Sequence, residues 1–573
     1  MRHFFVGVRR LGTWALLGIA TACAHPAPLQ VPFVVPSPVT PPAPAPAPAV
    51  SSPLTDDEPL GQGLAPKPGA LPVLVPPPLD GAARAKWLAT SLDGLFGGPG
   101  HLPPPLGAGK VSVLVVDHES GRVVYGRDAR LGLNAASNVK LMTAAAALSL
   151  LGPEYRFRTV VYGPQRTAGR YLEAGGELVG DVHLRGGGDP TLVDADLSDL
   201  ANQLWALGVR KIKGNLVVDA TFFDEQTVPP AYEQKEESGA FRAPSSAVSL
   251  NSNALGVTVI PASQAGTVAK VLVTPESPYV QLTGKILTAG KGPAWPVIET
   301  SEAPADGANS VHGRTLVAVS GRVAVGQQPR TFYRRVVNPA LYAGYTTAAI
   351  FAQRGIVLAG QVKLGATPQG QRLLATHVSE PLGVLVHELN KRSNNFAAEQ
   401  LVRTLGAQII GTPGNWDKGL EAIARYLEGV GIRRGTYRME NGAGLYDSNR
   451  FSAEQITMVV RAALRDFRIA GEFAASLSLA GIDGTLGPRM AGTAAERYVR
   501  AKTGTLLAAS CLSGMAGSPT RGPLVFSFLM NDVTDMALAR AAQDQGAAVL
   551  AWYLNPERPV QTSPPTAVAA PSN

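Results

Sequence analysis

The chain has 573 residues, of which 45% are hydrophobic and 16% charged, the composition of a packed globular protein rather than a disordered one. That length accommodates about three compact units. The net charge is +8 at pH 7, yet the lysines and arginines form no long block, which argues against nucleic acid as a partner. A mildly basic surface would suit an anionic polymer, although charge alone does not identify one.

Residues 1–23 have the pattern of an export signal, in which arginines precede the apolar stretch 11–20. The stretch is shorter than the roughly 20 apolar residues that a spanning helix needs. Two interpretations of the cleavage compete. Cleavage after Ala22 would suit ordinary signal peptidase, whereas a bacterial lipoprotein signal would make Cys23 the lipidated N-terminus. We favour lipidation of Cys23, although Ala20 stands where such signals usually carry leucine.

Residues 24–79 are rich in proline, which donates no backbone hydrogen bond and therefore opposes helix and sheet. They predict a disordered, polyproline-like spacer that ends near Asp80, where the folded part should begin. Residues 557–573 are rich in Pro, Ser and Thr and predict a disordered tail.

Residues 80–164 predict the first part of a folded domain. Two strands are expected at 110–117 and 122–125, joined by a turn. A helix is expected over 137–151, because apolar residues recur there at helical spacing and Gly152-Pro153 follows.

Residues 165–335 are rich in valine, glycine and short strand patterns, with one evident helix near 194–207, and predict inserted, mainly-β domains. The glycine-rich run 186–190 lacks a following Lys-Ser/Thr pair and ends in proline, so it predicts a turn rather than a phosphate-binding loop.

Residues 336–556 predict the second part of the folded domain. The elements expected there are a helix at 382–391, strands at 498–502, 510–516 and 524–530, and a final helix at 535–554. Strands near both ends of the chain, with helices between them, indicate an α/β (α+β) unit that a large insertion interrupts.

Ser137 and Lys140 are the first candidate catalytic pair. A serine hydroxyl needs a base to become a nucleophile, and a lysine three residues later lies on the same helical face. The lysine can act as that base only when it is neutral, which burial or a nearby cation such as Lys502 would favour. The alternative is a helix-capping serine followed by a surface lysine.

Ser393 and Asn395 are two positions apart, so their side chains can point the same way in an extended or tight-loop segment. The serine could pass a proton to a leaving nitrogen, and the asparagine could hold both a substrate peptide bond and the base lysine. The alternative is a polar break between two helices.

Lys502-Thr503-Gly504-Thr505 is expected to close a strand. The lysine and the two hydroxyls can bind a carboxylate, and glycine lets a substrate backbone approach the strand edge. The backbone amide of Thr505 could form an oxyanion hole with that of Ser137. The alternative is an exposed strand end.

Taken in order, the three motifs are those of penicillin-binding proteins and serine β-lactamases. The chain resembles the D-alanyl-D-alanine carboxypeptidase/endopeptidase family of class C low-molecular-weight penicillin-binding proteins, which carries extra domains between the first two motifs. Ser393 lies 256 positions after Ser137. The resemblance covers roughly residues 85–555. Other stretches that look like family signatures are 187–192, 214–219, 243–251, 441–445 and 481–486.

The resemblance implies a penicillin-binding/β-lactamase-like transpeptidase fold, with helices on an antiparallel sheet, in an exported, periplasmic protein. It implies acyl transfer without a metal or cofactor, from D-Ala-D-Xaa stem peptides of peptidoglycan to a serine, and inhibition by β-lactam antibiotics. The only membrane contact expected is the lipid anchor. The roles implied are nucleophile for Ser137, base for Lys140, proton donor for Ser393, amide ligand for Asn395, and carboxylate binding for Lys502, Thr503 and Thr505.

Asn394 stands where the family often has aspartate, and we expect little effect because the middle position carries no chemistry. Asp483 and Arg489 are expected to be structural or substrate-orienting. Two other functions compete with the family's: a β-lactamase-like serine hydrolase, and a non-catalytic, lipid-anchored protein that binds the cell wall.

Overall fold

The fold is described from a computed structural model, which covers residues 71–72, 74–97, 109–165, 172–290, 294–304 and 313–557. The export signal, Cys23 and most of the spacer and tail lie outside the described residues. Among the described residues, none of the helices combines the length and the apolar character needed to cross a membrane.

Within its described residues, the first part of the chain supplies one α-helix and two strands before the first motif. Helix α1 (Gly81–Phe96) begins after Asp80, whose carboxylate accepts a hydrogen bond of 2.7 Å from the amide of Ala83. Strands β1 (Lys110–Asp117) and β2 (Val123–Arg127) follow. The predicted helix at 137–151 divides into a 3₁₀ turn, Ala136–Val139, and helix α2 (Lys140–Leu151).

The inserted region is mainly β, with one helix near its start and another near its end. Its elements are β3 (Arg158–Gly163), β4 (Glu177–Leu178), β5 (Val182–Gly186), α3 (Asp194–Ala206), β6 (Lys211–Ile212), β7 (Leu216–Asp219), β8 (Ala254–Ile260), β9 (Lys270–Thr274), β10 (Val280–Gly284), β11 (Leu287–Ala289), β12 (Pro296–Glu302), β13 (Thr315–Ala324), β14 (Arg330–Arg335), α4 (Pro339–Gln353), β15 (Val357–Leu358), β16 (Val362–Leu364) and β17 (Arg372–Val378).

The strand pairing favours a wider inserted region than the predicted 165–335. A five-stranded sheet has the order β16-β7-β5-β3-β17, so β3 and β17 join it from outside those bounds. Helix α4 buries Tyr342 and Phe351 in the same hydrophobic core as Leu184 of β5. We therefore propose that the inserted region runs from about residue 158 to 378.

The last part of the chain returns to helices and then completes a sheet. The elements are α5 (Leu382–Lys391), α6 (Asn395–Leu405), a π-helical turn (Gly406–Ile410), α7 (Trp416–Gly429), α8 (Ala453–Arg465), α9 (Ala470–Ser476), β18 (Ser478–Leu479), β19 (Val499–Leu506), β20 (Ala509–Ala516), β21 (Leu524–Asn531) and α10 (Met536–Leu554).

The principal sheet is antiparallel, with the strand order β18-β19-β20-β21-β1-β2. Pairing of β21 with β1 joins the two parts of the chain across the insertion. Alternate residues of β1 face two separate cores: Val113 packs with α1 and α10, whereas Leu114 packs with α2 and α5–α8. The predicted class, an α/β unit with helices on an antiparallel sheet, is confirmed.

Helix α6 connects this unit with the inserted region. Its Gln400 side chain donates a 3.2 Å hydrogen bond to the carbonyl of Gly188, and its fully buried Arg403 pairs with Asp224 at 2.7 Å. Because Asn395 is the first residue of α6, contacts with the inserted region help to set the position of a motif residue.

Candidate active site

Ser137 and Lys140 lie where the 3₁₀ turn meets α2. Lys140 is fully buried, and its Nζ lies 2.9 Å from Ser137 Oγ, within hydrogen-bond distance. The turn is held by close backbone packing: a Cβ added at Gly444 would come within 2.0 Å of the carbonyl oxygen of Ala136. Glycine at that position therefore lets the segment after Asn441 lie directly against the turn that carries the serine.

Two further oxygens surround Lys140 Nζ. Asn395 Oδ1 and the carbonyl oxygen of Ala443 each lie 2.7 Å away. The Asn395 amide is oriented by its other end, because its Nδ2 donates a 3.1 Å hydrogen bond to the carbonyl of Phe241 in the inserted region. Neither Ala443 nor Phe241 was predicted, since both act through backbone carbonyls that any residue type supplies.

The second motif faces two different lysines. Ser393 has a φ of 56°, in the left-handed region, and its Oγ lies 2.8 Å from Lys502 Nζ. Asn394 caps α6, its Oδ1 accepting a 2.9 Å hydrogen bond from the amide of Ala397. Asn395 is already helical, so the sharp bend at Ser393 directs one side chain of the motif to Lys502 and the other to Lys140.

The third motif lies inside a strand, and the prediction that it closes the strand is wrong. Strand β19 continues to Leu506 because β20 pairs with it along its whole length. On the other edge, β18 pairs with Arg500 and Ala501, and within the described residues no strand continues beside Lys502. That open edge begins at the motif itself.

Gly504 allows the turn that carries Ser137 to pack against β19. A Cβ at this position would lie 2.7 Å from Asn138 Nδ2 and 2.9 Å from the carbonyl oxygen of Ala135. The glycine therefore sets the distance between the serine turn and Thr505, which pairs with Ser510 on β20.

Lys502 is fully buried beside these groups. Its Nζ also donates to the carbonyl of Thr503 at 2.8 Å, and Thr503 Oγ1 donates to Thr485 Oγ1 at 2.9 Å. Thr485 follows Asp483 in a stretch that resembles the family, but it was not singled out as a site residue. A positively charged group and two hydroxyls thus lie together where the strand edge is open.

Glu399 is a further polar residue that sequence reasoning missed. It is fully buried one helical turn after Asn395, and its carboxylate accepts hydrogen bonds from Ala443, Gly442 and Trp416. Burial raises the pKa of the Glu399 carboxyl, and these hydrogen bonds together with the charge of Lys140 oppose that shift. The available signal was an acid four residues after a motif asparagine and four residues before Arg403, on the same face of the predicted helix.

Asp483 and Arg489 each bind another charged residue. Asp483 pairs with Lys391 at 2.5 Å and accepts a hydrogen bond from the amide of Leu479, whereas Arg489 pairs with Asp544 of α10 at 2.7 Å. These contacts favour the structural alternative for both residues.

The fold and the two serine–lysine pairs define a serine hydrolase of the penicillin-binding type. The chain belongs to the D-Ala-D-Ala carboxypeptidase 3 (S13) family, whose model matches residues 101–553. This match confirms the predicted family and enzyme class.

Comparisons with individual proteins agree with this family membership. The chain is 34% identical over 473 residues to the D-alanyl-D-alanine carboxypeptidase of Actinomadura sp. (strain R39), covering 80% of this chain and 84% of that protein. Its fold is similar to the crystal structure of penicillin binding protein 4 (dacB) from Haemophilus influenzae, with a TM-score of 0.67, 22% identity, and coverage of 80% and 98%. A structure of that protein complexed with a novel β-lactam has a TM-score of 0.63 and 23% identity, with coverage of 80% and 97%.

Proposed function

We propose that this protein is a serine-type D-Ala-D-Ala carboxypeptidase and endopeptidase that cleaves peptidoglycan stem peptides through an acyl-enzyme on Ser137. The observation that carries the proposal is the 2.9 Å contact between Lys140 Nζ and Ser137 Oγ in a buried site. Family membership supplies the substrate class, and the geometry supports a role for each residue.

Lys140 is arranged to act as the general base. A neutral amine has two N–H groups and one lone pair, and Nζ contacts Ser137 Oγ, Asn395 Oδ1 and the Ala443 carbonyl oxygen. If its N–H groups donate to Asn395 Oδ1 and the Ala443 carbonyl, both at 2.7 Å, the lone pair faces Ser137 Oγ. An amine oriented in this way accepts the serine proton as the hydroxyl attacks.

Acylation then proceeds in two stages. Ser137 Oγ bonds to the substrate carbonyl carbon while its proton moves to Lys140, and the backbone amides of Ser137 and Thr505 stabilise the oxyanion. When the C–N bond breaks, Ser393 Oγ–H protonates the departing amine, and Ser393 is reprotonated by the proton that Lys140 took from Ser137, so Lys140 becomes neutral again. Water next adds to the acyl carbonyl, Ser137 Oγ leaves and regains a proton, and the peptide acid is released.

Lys502, Thr503 and Thr505 bind the substrate carboxylate at the open edge of β19. Gly504 lets the peptide backbone approach this edge. When the leaving group is free D-alanine the enzyme acts as a carboxypeptidase, and when it is the cross-linking residue of a second strand the enzyme acts as an endopeptidase.

A fluorescent penicillin tests the proposal. We expect wild-type protein to gain the mass of one penicillin and Ser137→Ala to gain none, because the covalent bond forms at Ser137 Oγ. Ser120→Ala is the control, since this exposed serine lies in the turn between β1 and β2 and should leave labelling intact. Folded wild-type protein that takes no label, or equal labelling of Ser137→Ala, would contradict the proposal, and rapid turnover of the drug would indicate a β-lactamase instead.

We also propose export to the periplasm and lipid anchoring through Cys23. The arginine-rich, apolar N-terminal pattern that precedes Cys23 supports both. Radioactive fatty acid should label the full chain in cells, and Cys23→Ala should remove the label and shift the protein from the membrane fraction. Unchanged labelling of Cys23→Ala would contradict lipidation at this cysteine.

A further inference from the structure

The carboxylate of Glu399 binds the turn formed by Gly442 and Ala443. Its Oε1 accepts a 2.8 Å hydrogen bond from the amide of Ala443, and its Oε2 accepts hydrogen bonds from the amide of Gly442 at 3.3 Å and from the Trp416 indole at 2.8 Å. Because Glu399 is 1% exposed, these protein donors replace the water that would otherwise solvate the carboxylate.

The same turn contacts Lys140. The N–H of Ala443 binds Glu399, and its carbonyl oxygen lies 2.7 Å from Lys140 Nζ. Thr143, one turn after Lys140 on α2, donates a 2.9 Å hydrogen bond to the carbonyl of Gly442. The position of the Ala443 carbonyl therefore depends on Glu399 on one side and on Thr143 on the other.

Helix α6 therefore contributes to the position of two oxygens that contact Lys140 Nζ, Asn395 Oδ1 and the Ala443 carbonyl oxygen. Asn395 binds Nζ directly through Oδ1, and Glu399, four residues later on the same helical face, acts through the turn. We propose that Glu399 is a positioning residue for Lys140, holding the Ala443 carbonyl so that the amine lone pair faces Ser137. This inference rests on the proposed role of Lys140 as the base.

The carboxylate also affects Lys140 through its charge. The electrostatic interaction between Glu399 and Lys140 favours the charged form of each residue. Among the described residues, Trp416 from α7 and Tyr232 from the inserted region also face this carboxyl, and burial together with the Glu399 charge raises the pKa of the Tyr232 phenol. A change at Glu399 should therefore alter both the rate of acylation and its pH dependence.

Glu399→Gln tests the proposal because glutamine keeps the size and shape of the Glu399 side chain but removes its negative charge. Both carboxylate oxygens face N–H donors, so the amide NH₂ of glutamine must oppose one of them whichever way it turns. We expect the second-order rate constant for acylation by fluorescent penicillin to fall about tenfold or more at neutral pH. The non-covalent affinity should stay unchanged, and the acid limb of the pH profile should move to lower pH, because protonated Lys140 loses a nearby negative charge.

Thr143→Val separates the effect of the turn's position from the effect of the Glu399 charge. It removes the other hydrogen bond that holds the turn but leaves the Glu399 charge in place. Acylation should fall by about threefold to tenfold with the acid limb unmoved.

The control is Asp219→Asn in the inserted region. Asp219 is another buried carboxylate that accepts hydrogen bonds from two backbone amides, those of Thr221 and Thr367. The acylation rate of the Asp219→Asn protein should stay within about twofold of the wild-type rate, because the contacts of Asp219 do not involve the Gly442–Ala443 turn.

A folded Glu399→Gln that acylates at the wild-type rate with the wild-type pH profile would overturn the positioning role. An equal loss in Asp219→Asn would also overturn it, since the effect would then reflect general destabilisation. If Glu399→Gln does not fold, wild-type acylation by Thr143→Val decides against the proposal. Full labelling of Ser137→Ala or Lys140→Ala would instead contradict the proposed function itself, so the two failures are distinguishable.

Discussion

Lys502 Nζ lies 2.8 Å from Ser393 Oγ, although the two residues are 109 positions apart in the chain. The pair repeats the arrangement of Lys140 and Ser137, and both lysines are fully buried. The site therefore contains two serine–lysine pairs, which matches the need of acyl transfer for one proton acceptor at the nucleophile and one proton donor at the leaving group.

Ser393→Ala should lower kcat more than it raises KM. The substitution removes the hydroxyl that we propose as the proton donor to the departing amine, and a single general acid contributes about 10²–10⁴ in rate. Release of D-alanine from a D-Ala-D-Ala peptide measures the effect, and Ser120→Ala provides the control. An unchanged kcat would exclude Ser393 as the donor.

Asn394→Asp should leave activity unchanged, because the Asn394 side chain caps α6 through the amide of Ala397. Aspartate caps helices as well as asparagine does, whereas Asn394→Ala should cost about 1 kcal/mol in the free energy of unfolding. Urea denaturation and D-alanine release check these outcomes.

Asn395→Ala, one position further, should lose most acylation, because Lys140 loses the Asn395 Oδ1 contact. If Asn395→Ala acylated as fast as Asn394→Asp, the different roles assigned to Asn394 and Asn395 would be refuted.

Gly504→Ala should abolish penicillin labelling. The new methyl group would approach Asn138 Nδ2 to 2.7 Å and the Ala135 carbonyl to 2.9 Å, which forces the serine turn away from β19. Gly471→Ala is the matched control, since a Cβ at this helical glycine meets no atom within 4 Å. That control should keep full labelling and gain about 0.5–1 kcal/mol of stability. Normal labelling of Gly504→Ala would show that the close packing is not required.

The free energy of unfolding should depend on pH through His377. Asp189, 3.5 Å from Nε2, raises the pKa of His377, burial opposes the shift, and the charge of Asp196, 3.5 Å from Nδ1, adds to it. Because the folded-state pKa is raised, this stabilisation is fully present below about pH 6.5 and is lost as pH rises through the folded-state pKa. The free energy of unfolding of wild type should therefore exceed that of His377→Gln by more at pH 5.5 than at pH 8.5. These two pH values lie about one unit below and about two units above the usual pKa of histidine. An equal difference at both pH values would contradict this linkage.

Local patterns predicted much of the architecture. A run rich in strand-forming residues predicted a strand at 110–117, the bounds that β1 has, and helical spacing predicted 382–391, the bounds of α5. The wider bounds that we propose for the insertion have no local signal, because β3 and β17 are ordinary strands whose assignment depends on their partners in the five-stranded sheet.

The sequence by itself determined the chemistry that is available: a serine with a lysine three positions on, a second serine with an amide, and a lysine before a glycine. Those residue types limit the reaction, because nucleophile, base and anion-binding groups are properties of side chains. The tertiary structure alone decided that Ser393 faces Lys502 while Asn395 faces Lys140, and that Glu399 supports the Ala443 carbonyl. Such contacts join backbone groups and side chains that are far apart in the chain. They arise from tertiary packing, so no local sequence pattern predicts them.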